Sequence, residues 1–341
     1  MNSAELGPTF GLGNIRWVSR PVPTAGHGEV LVEMSAASLN YRDVLMAAGL
    51  YNRKQKLPLV PLSDGVGHVV GLGPGVTRFR GGERVCPIFA QGWLAGVPTQ
   101  EKLKTTLGGP LDGVCRQFAV FHEAGLVVPP DYLSDEEAAT LPCAALTAWN
   151  SIVTFGRVKA GDVVVIQGTG GVALFALQFA RLHGARVVVL SGTDEKLERA
   201  KDLGASLGFN YNREPDWHRL VRDVTDGEGA DLIIEVGGAK TLGNSLRAAK
   251  IGGTICIIGI LSGATTDVML THILMHQLRL QGVIVGHRES FEQMNRALIE
   301  SEIHPVIDEV IDASQITAAF ERMPSGKHFG KIVLDLNSLS N

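Results

Sequence analysis

The stretch from Gly161 to Ala185, GDVVVIQGTGGVALFALQFARLHGA, constrains this chain more than any other, because it reads as one strand, one glycine-rich turn and one helix. Asp162 to Gln167 carry a valine and isoleucine run bounded by Gly161 and Gly168, the continuous apolarity of a strand buried on both faces. Gly168, Gly170 and Ala173 satisfy the G-x-G-x-x-G/A spacing, and the residues from Leu174 to Ala180 continue at helical spacing. A first glycine permits the tight turn, a second lets backbone N–H groups approach a pyrophosphate, and a small third residue lets helix and strand pack closely. The helix start adds partial positive charge for the phosphates. An ordinary tight turn would use the same residues, but a second strand follows here, which is the context a nucleotide site requires.

At 341 residues the chain is too long for one ordinary core, so two domains are expected. A formal net charge of −4 gives no basic footprint, which argues against nucleic-acid and anionic-membrane partners. The first residues, MNSAELGPTFGLGNIRW, lack a basic start followed by an apolar run, and no apolar stretch approaches the ~20 residues of a membrane span. A cytoplasmic location is the expectation. Cys86, Cys115, Cys143 and Cys256 are scattered without a C-x-x-C pair, so buried free thiols are expected rather than disulfides or a zinc knuckle.

From Asn14 to about Val128 short β segments alternate with Gly and Pro: Val30 to Met34, Gly67 to Gly71, Arg84 to Ile88 and Arg116 to Phe121. A turn entering a short helix lies at Asn40 to Met46, and Gln91 to Asp112, poor in apolar residues, reads as an exposed loop. After Pro130 the texture changes. Ser134 with Glu137 makes a capping box, Ala145 to Phe155 looks helical, and then strands and helices alternate as far as Thr254 to Ile258, with a further strand at Gln281 to Val285. Repeated β-α units require parallel strands with right-handed crossovers, hence a doubly wound α/β sheet whose ligand crevice lies at the carboxyl ends of the strands. From Ile303 onward short β segments return, ending in Lys331 to Leu334, as if the chain goes back to complete the first domain.

The tip of the second strand decides the ribose contact, an acidic residue suiting NAD and its absence with a nearby cation suiting NADP. That tip falls at Ser191, about twenty residues after Gly168. It is followed by Gly192, Thr193 and Lys196, and no carboxylate stands at the tip itself, so NADPH is the expected cofactor. Ser191 could instead cap the next helix, and Asp194 and Glu195 place negative charge close by.

The chain resembles the medium-chain dehydrogenase/reductase superfamily, in its zinc-independent, quinone-oxidoreductase-like branch. The resemblance is carried by Ala37-Ser38-Leu39-Asn40-Tyr41-Arg42-Asp43, Pro61 to Gly67, Leu141-Pro142-Cys143-Ala144-Ala145-Leu146-Thr147-Ala148-Trp149, the glycine turn, and His328-Phe329-Gly330-Lys331. It implies a GroES-like, mostly β domain (1–133 and 288–341), a Rossmann domain (134–287), an active site in the cleft, and homodimers formed through the Rossmann domain. Where zinc members carry Cys, His and Cys ligands, Asn40, Ser63 and Cys143 stand here, so no catalytic zinc is expected. The four-cysteine structural zinc loop is missing as well. His272 and His276, at i, i+4 in THILMH, lack the Glu of H-E-x-x-H and read as structural or interface residues. Gly204 to Gly208 spells G-x-S-x-G, but between a helix and a strand, the reverse of a nucleophile elbow.

By the same resemblance Tyr51 is the candidate proton donor, with Asn40, Arg42 and Asp43 facing the nicotinamide. For these, loop packing, helix capping and surface ion pairing are the alternative readings. Thr147 is expected at the nicotinamide, Gly168, Gly170, Gly171 and Val172 at the pyrophosphate, and Ser191, Lys196 and Tyr211 at the adenosine phosphate. Gly259, Ile260 and Leu261, where the fifth strand ends, Val285 and Gly286, where the sixth ends, and Lys331, matched by its motif, complete the expected coenzyme contacts. The resulting expectation is an NADPH-dependent reductase of a quinone or of a C=C bond conjugated to a carbonyl. The alternatives are a zinc-free alcohol or ketone oxidoreductase, and a nucleotide-binding sensor or structural protein without turnover.

Overall fold

The computed structural model describes residues 1–340. The chain begins with an antiparallel ribbon of β1 (Asn2–Leu6) and β2 (Ile15–Ser19), a pair that the sequence pattern did not reveal. There follow β3 (Glu29–Ser38), α1 (Tyr41–Ala47), β4 (Asp64–Leu72), β5 (Arg84–Pro87), α2 (Gln100–Leu103), β6 (Phe118–His122), β7 (Leu126–Val127) and α3 (Asp135–Ala138). Val30, Val32 and Met34 of β3 turn inward while Glu33 faces out, the period-two alternation of a half-buried strand. The segment read as an exposed loop is partly interior. Leu107 is buried and its turn is roped to α1 by Arg42, a long-range tie that local composition does not show.

After α4 (Leu146–Trp149) the alternation is regular: β8 (Val163–Gln167), α5 (Gly171–Leu182), β9 (Arg186–Ser191), α6 (Asp194–Asp202), β10 (Leu207–Asn210), α7 (Trp217–Asp223), β11 (Ala230–Glu235), α8 (Leu242–Ala248), β12 (Ala249–Ile257), α9 (Leu270–Met275) and β13 (Arg279–Gly282). Every pairing in this sheet is parallel, and the order β10-β9-β8-β11-β12-β13 is the doubly wound one, reversing between β8 and β11. α6 shows how local sequence sets the helices. Thr193 caps its first turn, Asp194 and Glu195 face the positive end of the dipole, Arg199 and Lys201 the negative end, and Leu197 and Ala200 are buried. Val165, Val188, Leu190, Ile233 and Ile255 supply the strand side of the core.

The chain then continues through α10 (Arg288–Ser301), β14 (Ile307–Asp312), α11 (Ile316–Arg322) and β15 (Lys331–Asp335). β14 and β15 complete the first sheet, in the order β14-β15-β3-β4-β5-β7 with β6 also on β3, so the final segment does go back to the first domain. Two compact units result: 1–146 with 285–341, and 147–284. Their limits fall at Leu146 and Val285, where the sequence reading put 133/134 and 287/288. The physical reason lies in residues 134–146, which are bonded into the first unit. Ser38 Oγ donates to the Ala139 carbonyl (3.0 Å) and Cys143 N donates to Asp64 Oδ2 (3.0 Å). Among the described residues no helix is long and apolar enough to cross a membrane.

Candidate active site

In the second unit the glycine turn sits at the carboxyl end of β8. Gly168 has φ +79°, a left-handed conformation that favours glycine, and its N–H donates to the Leu190 carbonyl (2.7 Å), tying the turn to β9. Gly170 is the N-cap of α5 in extended conformation, and Gly171 and Val172 open the helix. The first N–H groups of a helix have no partner within it, so these residues present donors and a positive dipole end to an anion. Seven apolar side chains of α5, Phe175 and Phe179 stacked among them, anchor the helix to the sheet.

At the end of β9, Ser191 is buried and Thr193, not Ser191, caps α6. Tyr211 follows β10 with its hydroxyl against Gly192, where a Cβ would come within 2.9 Å of it; Asn212 Nδ2 donates to the Gly192 carbonyl (2.9 Å). Asp194, the carboxylate nearest the tip, is engaged by Asn210 Nδ2 (2.9 Å) and by Arg213 (2.8 Å). Lys196 lies in the first turn of α6, half-buried. A cavity of about 430 Å³ opens here, lined by Gly168, Leu190, Tyr211, Val236, Lys240 and Leu261 among others. Gly259, Ile260 and Leu261 follow β12, with Ile260 and Leu261 half exposed, and Leu261 N donates to the Val236 carbonyl (3.2 Å). Thr147 is buried at the start of this unit, its carbonyl accepting from Ser151 Oγ (2.7 Å). Val285 and Gly286 do not end the sixth strand. β13 stops at Gly282, paired with Ile257, and Val285 turns at φ +44° on the way to α10.

Sequence reasoning missed what holds this edge together. Glu235, the last residue of β11, is wholly buried and accepts five hydrogen bonds: Gln167 Nε2 (2.6 Å), Ser245 Oγ, Thr241 Oγ1, and the N–H groups of Gly237 and Gly238 (both 2.9 Å). Gln167 Oε1 in turn accepts from Val236 N and Gly237 N (both 3.2 Å). A glutamate at the end of the otherwise apolar run Leu232-Ile233-Ile234 was the available signal.

In the first unit Asn40 is the N-cap of α1, and Asp43 Oδ2 accepts from its backbone N–H (2.8 Å) in a capping box. Arg42 is not at the surface. Its guanidinium donates to the carbonyls of Leu107 (3.0 Å) and Gly109 and lies 5.0 Å from the ring centres of both Tyr51 and Phe89. Tyr51 is half exposed, its ring covering that guanidinium. Lys331, the first residue of β15, is 3% exposed, and its Nζ donates to the Leu39 carbonyl (2.6 Å) and to Asn40 Oδ1 (2.7 Å). Asp64, another residue missed in the sequence, completes the cluster. It accepts from Ser63 Oγ (2.7 Å) and Cys143 N, while burial pushes its carboxyl up and the Lys331 ammonium and the Asn40 amide hold it down. Burial likewise drives the Lys331 ammonium down and the Cys143 thiol up. Asn40, Ser63 and Cys143 therefore do converge, and the structure sets Lys331 and Asp64 among them.

Two family descriptions match: "Alcohol dehydrogenase GroES-like domain" over residues 26–131 and "Zinc-binding dehydrogenase" over residues 171–300. A zinc-type alcohol dehydrogenase-like protein of Schizosaccharomyces pombe is 43% identical over 318 residues, 91% of each chain. A solved protein of Sinorhizobium meliloti 1021, described as an alcohol dehydrogenase, is 40% identical with a TM-score of 0.90, covering 98% of this chain and 99% of its own. A solved NAD-dependent alcohol dehydrogenase is 32% identical with a TM-score of 0.90, covering 98% and 100%. The chain belongs to the medium-chain dehydrogenase/reductase superfamily of alcohol dehydrogenase-like oxidoreductases.

The residues present do not fit the zinc that the second description implies. Asn40 Oδ1 is taken by an ammonium and the Ser63 hydroxyl donates to Asp64, which leaves the Cys143 thiol with too few anionic or imidazole ligands beside it. Among the described residues no group of three His, Cys, Asp or Glu is placed to share a metal ion.

Proposed function

We propose that this oxidoreductase uses NADPH and works without a metal ion, reducing a quinone or a C=C bond conjugated to a carbonyl. The observation that carries the reading is the Lys331 ammonium buried against Asn40 where the family's zinc ligands would stand. Without a Lewis acid, charge appearing on oxygen must be met by hydrogen-bond donors. A conjugated acceptor spreads that charge over an enolate or hydroquinone oxygen, which donors can stabilise more readily than a localised alkoxide. When bound, NADPH supplies the hydride. The chain's part is to seat the pyrophosphate on the α5 start, to hold the adenosine end beside Ser191, Gly192 and Tyr211, and to keep the α1 start and its donors in place. The uncharged Ser191 tip supports a 2′-phosphate.

The relatives are described as alcohol dehydrogenases, which favours a second reading, an alcohol or ketone oxidoreductase, taken here without the zinc that the Schizosaccharomyces pombe relative's description carries. Coenzyme oxidation measured with NADPH and NADH against a quinone, an enal and a simple ketone separates the two, with elemental analysis of the same preparation. The expected result is turnover of the quinone or enal, preference for NADPH, and substoichiometric zinc. Turnover of the ketone alone reverses the ranking, and tight binding with no consumption points to a sensor.

A homodimer belongs to the same proposal. β13 is the last strand on its side of the sheet, and in α9, just before it in the chain, and at that helix's N-cap, Met269, Leu270, Leu274 and Met275 are each at least 61% exposed. Exposed apolar side chains and an open strand edge both favour burial against a second copy. His272 and His276, with ring centres 5.6 Å apart, lie on that same helix. Leu274→Asp is expected to convert the dimer to monomer in analytical ultracentrifugation; a wild-type monomer would end this part of the proposal.

A further inference from the structure

Four chain segments remote in sequence meet at one buried cation: Leu39 and Asn40 before α1, Asp64 at the start of β4, Cys143 after α3, and Lys331 at the start of β15. As a stability device this is a poor choice. Lys331 occupies the first of four consecutive buried positions, Lys-Ile-Val-Leu, and well-packed apolar residues in place of a buried ion and its counter-charge together are often neutral or stabilising. The lysine nevertheless fixes two things that an apolar residue cannot. It takes Asn40 Oδ1, so the amide has one orientation, and its Nδ2 is left buried without a hydrogen-bond partner. Its charge also favours the ionised Asp64 carboxyl, whereas Arg42, the other cation of the cluster, is committed to the carbonyls of Leu107 and Gly109 and lies 5.0 Å from two ring centres.

We propose that Lys331 is a positioning residue for the reduction, the protein's own fixed cation in the place of a metal ion, holding the Asn40 amide and the Asp64 carboxylate in their reactive arrangement. This rests on the metal-free reading above. It reassigns Lys331 from the coenzyme contact that its motif suggested to the interior of the first unit.

The test compares Lys331→Met, Lys331→Arg, Asp64→Asn and the double variant Lys331→Met/Asp64→Asn with the wild type. Lys331→Met is expected to melt about 10 °C lower, because Asp64 loses its counter-charge. It is also expected to lose about 10²-fold in kcat, with the KM for NADPH changed less than about threefold. Adding Asp64→Asn removes the unpaired charge and should restore most of the melting temperature but not kcat. Lys331→Arg keeps the charge and should recover part of kcat. Full kcat in the double variant would show a merely structural role for the two charges. A loss confined to the KM for NADPH would return the ammonium to the coenzyme, and either result overturns the proposal. If Lys331→Met does not fold, the double variant and Lys331→Arg decide between the same outcomes. Stoichiometric zinc in the wild-type protein is a separate result, which removes the metal-free reading itself.

Discussion

Glu235→Ala lowers stability by about 4 kcal/mol, or a melting temperature shift of about 10 °C, and weakens binding of the nicotinamide coenzyme with it. Five donors converge on this carboxylate, and all lose a shared acceptor when it is removed. The two hydroxyls can turn to other acceptors, Gln167 Nε2 keeps Ser245 Oγ (2.9 Å) and Gly237 N–H keeps Gln167 Oε1 (3.2 Å), so the Gly238 N–H is the donor that loses its acceptor outright. Gln167 is further restrained because its Oε1 already accepts from Val236 and Gly237. Glu235→Gln is therefore not silent. An amide there keeps an acceptor for the glycine N–H groups but sets its own NH2 against Gln167 Nε2, donor to donor, so an intermediate loss is expected. The effect reaches ligand binding because the turn after β11, through Val236 and Lys240, lines the same cavity as Gly168 and Tyr211. Thermal melts with and without NADPH, and coenzyme titration by fluorescence, read both. An alanine variant that melts with the wild type and binds NADPH equally well would show that the network does not support the cavity.

The fate of Glu235 shows where sequence reading stops. Signals confined to a few neighbouring residues were legible: the Gly168 turn, the Ser134 and Glu137 capping box, and the strand and helix alternation that gives the sheet order. Each depends on contacts within a turn or on a period, which a sequence displays directly. The buried charges were not legible as a set. Asn40 and Lys331 are separated by 291 positions, and Gln167 and Glu235 by 68, so nothing local records that they bond. Arg42 illustrates the same limit. Its place beside Asn40 and Asp43 suggested either chemistry or a surface ion pair, whereas its guanidinium ropes the 107–109 turn into the interior. Val285 failed for a different reason: an apolar residue after Val283 and Ile284 reads as more strand, and only the backbone shows the reversal at φ +44°.

Asp43 gives the fold a dependence on pH that can be isolated. Burial pushes its carboxyl up to about 6 from an ordinary value of 3.8, despite Arg42 beside it and the Asn40 N–H it accepts, with Asp64 adding to the rise. A carboxyl whose value is raised on folding binds its proton more tightly in the folded chain than in the unfolded one. Its contribution to stability is thus complete below pH 3.8 and is lost as pH rises through about 6. The difference corresponds to about 3 kcal/mol between the two ends of that window. In Asp43→Asn the amide oxygen still accepts from Asn40, and no proton is gained or lost. Whatever constant offset the amide brings at Arg42, the stability of the variant relative to the wild type should rise by about 2 kcal/mol between pH 4 and pH 8. Asp64 and Lys331 are common to both chains, so to first order their titrations cancel in the comparison. Denaturant midpoints of the two proteins at one-unit steps across that range measure it. Parallel curves would mean that Asp43 is ionised throughout, and that Arg42 compensates its burial in full.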